Sequence, residues 1–395
     1  MPATPSTARI IAMPATPPMA NLAGALNLAG RVLAVGAIFV VGCSKPATPP
    51  AAGAGAAKAR TEGRIVMLTN GDDPFADIIA EGLHDEAKEL DLAARGLSVV
   101  VDKNNGTTNG QLEKLRGYAV QDDIRAVAVS VIQADNAAIA EAMKALRDRG
   151  IPVITVDSDL TAAVFPDSRS WYVGTDNLVA GRMLGRALAT LLAAKGREGG
   201  GYVQFAGFTD VDNARKRMNG VKEEVGSNGR ELDRMSDEMD LSRARDNVRH
   251  AIANHPDLVA LVGIWAYNAP AIAEVVHERG LRDTTVVATF DAQPAAIEQM
   301  KAGRIDVMVV QNPFEMGQKT VRILDAMLRR DETLIKELFP RAGEAGGDVH
   351  ATSLRVVVPA AASSVKPAVF EGMPVEFLTL ADFEAWLTEK GLTGS

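Results

Sequence analysis

Gly150–Ile151–Pro152–Val153–Ile154–Thr155–Val156–Asp157–Ser158–Asp159 holds the fold in miniature. Just before it, residues 135–149 put Ile139, Met143 and Leu146 on one helical face. Gly150 closes that helix and Pro152 opens the next element. Val153, Ile154, Thr155 and Val156 then run into Asp157. A short, predominantly apolar and β-branched run between amphipathic helices predicts a strand buried on both faces. The same unit recurs on either side. Strands are predicted at 65–69, 97–101 and 126–131, then at 202–205, 258–264, 286–290 and 307–310. Helices are predicted at 213–225, 244–254 and 270–279, and leucines 184, 188, 191 and 192 mark another. About five strands precede residue 175 and about five follow it, too many for one open sheet of common size. The expected fold class is α/β, with two doubly wound parallel-sheet lobes joined by a hinge.

Composition sets the outer limits. The chain has 395 residues, 47% hydrophobic and 23% charged, which excludes collagen, coiled coil and wholesale disorder. Residues 1–42 hold Arg9 and Arg31 and no acid. The other 40 basic residues face all 50 acidic ones, a charge of −10. So acidic a body is a poor partner for a phosphate backbone, and no nucleic-acid partner is expected. The single cysteine, Cys43, excludes an internal disulfide and every multi-cysteine metal centre. His250 and His255 are five apart, not the four that align two ligands on a helix face. No metal and no cofactor are expected.

The beginning of the chain reads differently. Arg31 is followed by an apolar run from Val32 to Gly42, then Cys43. Eleven helical residues span roughly 16 Å, about half of a hydrocarbon core, so a signal segment fits better than a membrane span. Residues 1–42 are read as a signal peptide. Val40–Val41–Gly42–Cys43 resembles the bacterial lipoprotein box, which implies lipid attachment at Cys43 and anchorage to a membrane of the cell envelope. Residues 43–60, rich in Pro, Ala and Gly, read as a flexible tether.

Open parallel sheets bind ligands beyond the carboxyl ends of their strands. Those positions here hold Asn70 and Phe75, Asp157, Asn213 and Arg215, Trp265, Tyr267 and Asn268, Asp291, and Gln311. Carboxylates accept from hydroxyls, arginine donates, amides do both, and aromatic faces cover sugar C–H groups. The set suits a small polyhydroxylated ligand. Asp and Asn also cap helices, so the reading rests on the whole set.

At these residues the chain resembles the ribose-type (type I) periplasmic sugar-binding proteins of bacterial ATP-binding-cassette importers. The matching stretches are Thr69–Asn70 with Pro74–Phe75, residues 151–159 and residues 172–177. Further matches are Asn213–Ala214–Arg215 with Arg217, residues 265–270, Phe290–Asp291 and Val310–Gln311. The resemblance implies an N-terminal lobe of residues 61–173 plus 312–353 and a C-terminal lobe of 174–311 plus 354–395. It implies three crossings between the lobes and a sugar held in the cleft. Asn70, Phe75, Asp157 and Ser158 would contact it from one side. Asn213, Arg215, Trp265, Tyr267, Asn268, Asp291 and Gln311 would contact it from the other side or the hinge. The family often has a second aromatic where Ala76 stands, and ribose binders often have arginine where Ser158 stands, so ribose itself is not implied. Beyond Asp331 only 354–359 matches, as a final crossing strand, and a closing helix is predicted at 380–390.

The function implied is non-catalytic capture of a sugar or polyol by a monomer and its delivery to an ATP-binding-cassette permease. A receptor reporting a sugar or signal molecule to a sensor or chemotaxis partner is the alternative. A third reading rests on Asp157–Ser158–Asp159–Leu160–Thr161, which fits the D-x-D-x-T pattern of magnesium-dependent haloacid-dehalogenase-type phosphatases. On the sugar reading, Asp157→Ala or Arg215→Ala is expected to abolish monosaccharide binding.

Overall fold

The computed structural model describes residues 63–72 and 74–395. The signal segment, Cys43 and the tether lie outside the described residues. The chain first lays down β1 (Gly63–Leu68), α1 (Pro74–Glu89), β2 (Leu97–Asp102), α2 (Thr108–Tyr118), β3 (Ile124–Val129), α3 (Ala137–Asp148), β4 (Val153–Val156) and β5 (Tyr172–Gly174). It then starts a second sheet with α4 (Asn177–Ala194), β6 (Gly201–Ala206), α5 (Asp212–Val225), β7 (Arg230–Ser236), α6 (Leu241–Asn254) and β8 (Leu258–Gly263). That sheet continues through α7 (Asn268–Glu278), β9 (Val286–Phe290), α8 (Pro294–Lys301) and β10 (Val307–Val310). The chain returns to the first sheet with α9 (Pro313–Arg329), α10 (Glu332–Leu338) and β11 (Val349–Ala351). It finishes on the second with β12 (Leu354–Val358), β13 (Val375–Thr379) and α11 (Leu380–Lys390).

The first sheet runs β11-β5-β4-β3-β1-β2 and the second β13-β12-β10-β9-β8-β6-β7. Read from its own first strand, each has the doubly wound order 2-1-3-4-5. The order reverses between β1 and β3, and between β6 and β8, and such switch points open the crevice in which ligands sit. Among the described strands only β10 with β12 pairs antiparallel. β4, β6, β9 and β10 are buried along their whole length. Helices cover both faces, so continuous apolar runs replace the alternation of a one-sided sheet.

Four strands went without a predicted range: β5, β7, β11 and β13. β5 is only three residues long, and the other three lie on sheet edges. β7, RELDRMS, keeps only part of its surface covered. Charged edge strands resist pairing with other chains and lose the apolar signal that marks interior ones.

In the second lobe α4 and α5 pack with almost no side chain between them. A Cβ on Gly181 would lie 2.2 Å from the Arg217 carbonyl oxygen, and one on Gly220 2.4 Å from that of Leu178. The two glycines let the backbones touch, which fixes the depth at which α5 carries Arg217. Gly181→Ala is therefore expected to destabilise the protein by about 1–3 kcal/mol through overpacking. Gly117→Ala in α2 has the opposite expectation, a gain of about 0.5–1 kcal/mol, because its added methyl meets nothing nearer than 3.8 Å. Urea unfolding of the two variants checks both signs.

Candidate ligand-binding site

Each sheet ends its fourth strand in an aspartate. Asp157 follows β4 and Asp291 follows β9. Both adopt left-handed backbone, with φ of +63° and +60°. Both still donate their N–H to the next strand, Asp157 to the Val173 carbonyl at 2.9 Å and Asp291 to the Val309 carbonyl at 2.8 Å. The ladder holds while the chain turns out of it at the carboxylate. A non-glycine residue pays for this conformation, so two matched instances at strand ends mark a constrained site.

Beside Asp291 stands Arg217, buried to 3% exposure. Its Nε donates to Asn177 Oδ1 at 2.9 Å and its Nη1 to the Ile264 carbonyl at 3.2 Å. The guanidinium lies 4.7 Å above the Phe290 ring and 3.9 Å from Asp291 Oδ2. Burial pushes its pKa down, and the charges of Asp291 and Asp157 pull it back up. Burial pushes Asp291 up, against Arg217 and Gln311. One cation thus serves a carboxylate from each sheet.

Of the remaining expected residues, several hold others in place. Asn70 is half-buried after β1, where its carbonyl accepts from Asn104 at 3.1 Å. Phe75, half-buried in the first turn of α1, packs on the first core. Asp157 Oδ2 accepts from Ser130 Oγ at 3.1 Å, and its carbonyl from the Tyr172 hydroxyl at 2.9 Å. Ser158 spends its hydroxyl on the Val131 carbonyl at 2.7 Å. Gln311 Nε2 donates to Asp291 Oδ1 at 3.0 Å, while its Oε1 accepts from Thr175 at 2.7 Å. Gln311 therefore orients Asp291. Asn268 is buried with both ends of its amide used, Nδ2 on Asp237 at 2.8 Å and Oδ1 on the Trp265 N–H at 3.1 Å. It clips the 265–268 turn. Tyr267 also gives its hydroxyl to Asp237. Trp265 meets Phe208 edge-on at 6.2 Å, and its indole N–H is buried without a partner. Asn213 Oδ1, at the start of α5, is likewise buried and unpartnered.

Arg215 is a correction. Its side chain is 57% exposed and paired with Asp212 at 2.7 Å. Two residues apart on a helix are about 200° apart around it, so Arg215 and Arg217 cannot face the same way. Ala214, Met218, Val221 and Val225 define the buried stripe, and Arg217 falls on it. That spacing was readable in the sequence. Asp237 was missed altogether. It is wholly buried, and its pKa is raised by that burial. The phosphatase reading meets an obstacle in the surroundings of Asp159. Asp159 accepts from Thr155 Oγ at 2.6 Å, from the Leu160 N–H at 2.8 Å and from Arg169 Nε at 2.8 Å. Arg169 itself is buried. Both oxygens of Asp159 are thus engaged by the protein's own donors, Oδ2 by Arg169 Nη2 at 2.5 Å. Among the described residues, no group of three or more His, Cys, Asp or Glu side chains is placed to hold a metal.

Residues 64–332 match the periplasmic binding protein domain family. The chain is 23% identical to the ribose import binding protein of Salmonella typhimurium over 273 residues, 69% of this chain and 86% of that protein. Among solved structures, it superposes on a Burkholderia graminis solute-binding protein of an ABC transporter in complex with D-arabinose. That match has a TM-score of 0.63 and 22% identity, and covers 76% of this chain and 97% of that one. An Agrobacterium vitis ABC-transporter solute-binding protein bound with α-D-tagatopyranose gives a TM-score of 0.61 and 23% identity, covering 80% and 100%.

The raised pKa of Asp291 has a signed consequence. Its proton is held more tightly folded than unfolded, so its contribution to stability is full below about pH 4 and is lost as pH rises through the folded value. In Asp291→Asn that loss is absent. The melting temperature of the variant minus that of the wild type is therefore expected to increase from pH 4 to pH 7 in ligand-free protein. A difference that is flat or falls with pH would contradict the assignment.

Proposed function

The chain belongs to the periplasmic binding protein family, and from that premise we propose that it captures a small neutral sugar or polyol between its two lobes and delivers it to an ATP-binding-cassette permease. The observation that carries the reading is the pair of left-handed aspartates, one per sheet, with the buried Arg217 3.9 Å from the second of them. Two carboxylates and one guanidinium leave the site net negative, which disfavours phosphorylated or acidic sugars and suits hydroxyl donors. Asn70, Phe75 and Asp157 would meet the ligand from the first lobe, and Asn213, Arg217, Trp265 and Asp291 from the second. Ser158, Tyr267, Asn268 and Gln311 would hold those groups in place. Phe208, beside Trp265 and 38% exposed, extends the aromatic surface against which a ring's C–H face can pack.

The job is binding and release, with no bond made or broken. A ligand touching both lobes lowers the free energy of the closed form by its differential contacts, and the closed shape is what a permease can recognise. Closure excludes water and strengthens each hydrogen bond to the ligand. The lobe boundaries, 61–173 plus 312–353 and 174–311 plus 354–395, belong to this proposal. So do the signal segment, attachment of lipid at Cys43 and the monomeric state.

The test is calorimetric titration of the full chain with D-ribose, D-arabinose, D-tagatose and myo-inositol. At least one is expected to bind. For that ligand, Asp157→Ala and Arg217→Ala should each raise Kd by about 30-fold or more, the cost of removing one charged partner from a buried site. Arg215→Ala should leave Kd within about twofold. Equal losses at Arg215 and Arg217 would overturn the site.

A further inference from the structure

The segment after α11 ends in the ligand site. Gly391, in left-handed conformation at φ +69°, turns the chain back, and Leu392 returns its N–H to the Leu387 carbonyl at 2.8 Å. Leu392 packs with Phe383 and Leu387 in the core beneath β9 and β10. Ser395 then pairs both ways with Ala292. The Ala292 N–H donates to the Ser395 carbonyl at 2.7 Å, and the Ser395 N–H to the Ala292 carbonyl at 3.0 Å. Its hydroxyl donates to the Gln311 carbonyl at 2.9 Å. Ser395 is 3% exposed. Gly394 fits closely enough that a Cβ would lie 2.8 Å from the Ala292 carbonyl oxygen and 3.0 Å from Pro294 Cδ.

Those contacts fall beside two residues of the site. Ala292 follows Asp291 directly, and Gln311 is the residue that orients the Asp291 carboxylate. Residues 391–395 themselves lie beyond the 64–332 match to the family. The element supplying the segment is itself bolted down. Arg355, the second residue of β12, stacks its guanidinium 3.9 Å from the Trp386 ring and donates to Glu376 at 2.8 Å. Glu384 pairs with Lys301 of α8 at 2.6 Å.

We propose that residues 391–395 form a strap that holds Asp291 in its binding conformation, with Ser395 as the positioning residue. A left-handed aspartate persists only where its surroundings over-determine it. Here the peptide after Asp291 has both its hydrogen-bonding groups fixed by one residue, and the Gln311 main chain is tied to that same residue. The strap touches no ligand. It acts through the two residues it pins. The inference rests on the sugar-binding reading of the site given above.

The experiment compares affinity with stability. The full chain, its deletion of residues 393–395, Gly394→Val, Ser395→Ala and Val276→Ala are each titrated with the tightest binder among D-ribose, D-arabinose, D-tagatose and myo-inositol. Each is also melted without ligand. The deletion keeps Leu392 in the core. Val276, buried in α7 toward the end distant from the strand carboxyl ends, serves as a purely structural control. The deletion and Gly394→Val should raise Kd about tenfold or more. Ser395→Ala, which keeps the backbone pair, should raise it only a few-fold. Val276→Ala should lower the melting temperature with Kd unchanged. Should the deletion fail to fold, Gly394→Val carries the same test. Wild-type affinity in the strap variants, or a Kd loss in Val276→Ala equal to theirs, overturns the strap while leaving the site intact. A wild-type chain that binds none of the four sugars overturns the reading beneath it.

Discussion

A buried guanidinium must be answered by negative charge, and Arg217 is answered from two sheets. Removing arginine from water costs several kcal/mol unless carboxylates and carbonyls replace the hydration. Here Asn177, the Ile264 carbonyl, the face of Phe290 and Asp291 do so from the second lobe. Asp157 adds its charge from the first. The Asp291 carboxylate is 3.9 Å away, too far for a hydrogen bond, so that contact is an ion pair alone. Ligand hydroxyls placed between such groups gain charge-assisted hydrogen bonds that the protein does not make for itself.

The geometry that brings these groups together follows from topology applied twice. Both sheets wind in the same order, so the residue after the fourth strand occupies the same place in each. Asp157 and Asp291 share φ, share the N–H bond to the fifth strand, and differ in neighbours. Ser130 and Tyr172 surround the first, while Gln311 and Arg217 surround the second. The first sits near solvent with hydroxyls around it. The second is sealed, and its pKa is raised in consequence. The same backbone device thus yields one half-buried carboxylate and one sealed.

The interior strands and the two aspartates were legible in the sequence because burial on both faces leaves unbroken apolar runs, and such runs stop where the chain meets the crevice. α11 was read to its exact ends, since Thr379 and Asp382 cap it reciprocally and Gly391 terminates it. What did not show was anything that depends on which way a helix faces or on a partner remote in sequence. Arg215 stood nearer the matched stretch, but the stripe of Ala214, Met218 and Val221 turns Arg217 inward. Asp237 closes β7, an edge strand without an apolar signature, and its role exists only because Tyr267 and Asn268 arrive beside it. Ser395 reaches its position through α11, which no strand–helix repeat announces.

On the proposed reading, ligand site and crossings share residues, which gives binding a route to closure. The chain passes between the sheets at Thr175, at Asn312 and at Ser353. Thr352 donates its N–H to the Gly174 carbonyl at 2.9 Å, joining the first and third passages. Asn312 donates to Ser353 Oγ at 2.9 Å, joining the second and third. Glu315 accepts from both Asn312 and Ser353, at 3.0 Å and 2.9 Å. Thr175 bonds Gln311, which bonds Asp291. A hydroxyl arriving at Asp291 is thus two hydrogen bonds from the first crossing. Rotation of one lobe on the other must pass through these side-chain links, because the strand ladders on either side are far stiffer. On the proposed reading, a ligand that fixes Asp291 acts on the crossings through Gln311 and Thr175, with no longer path through the lobes required.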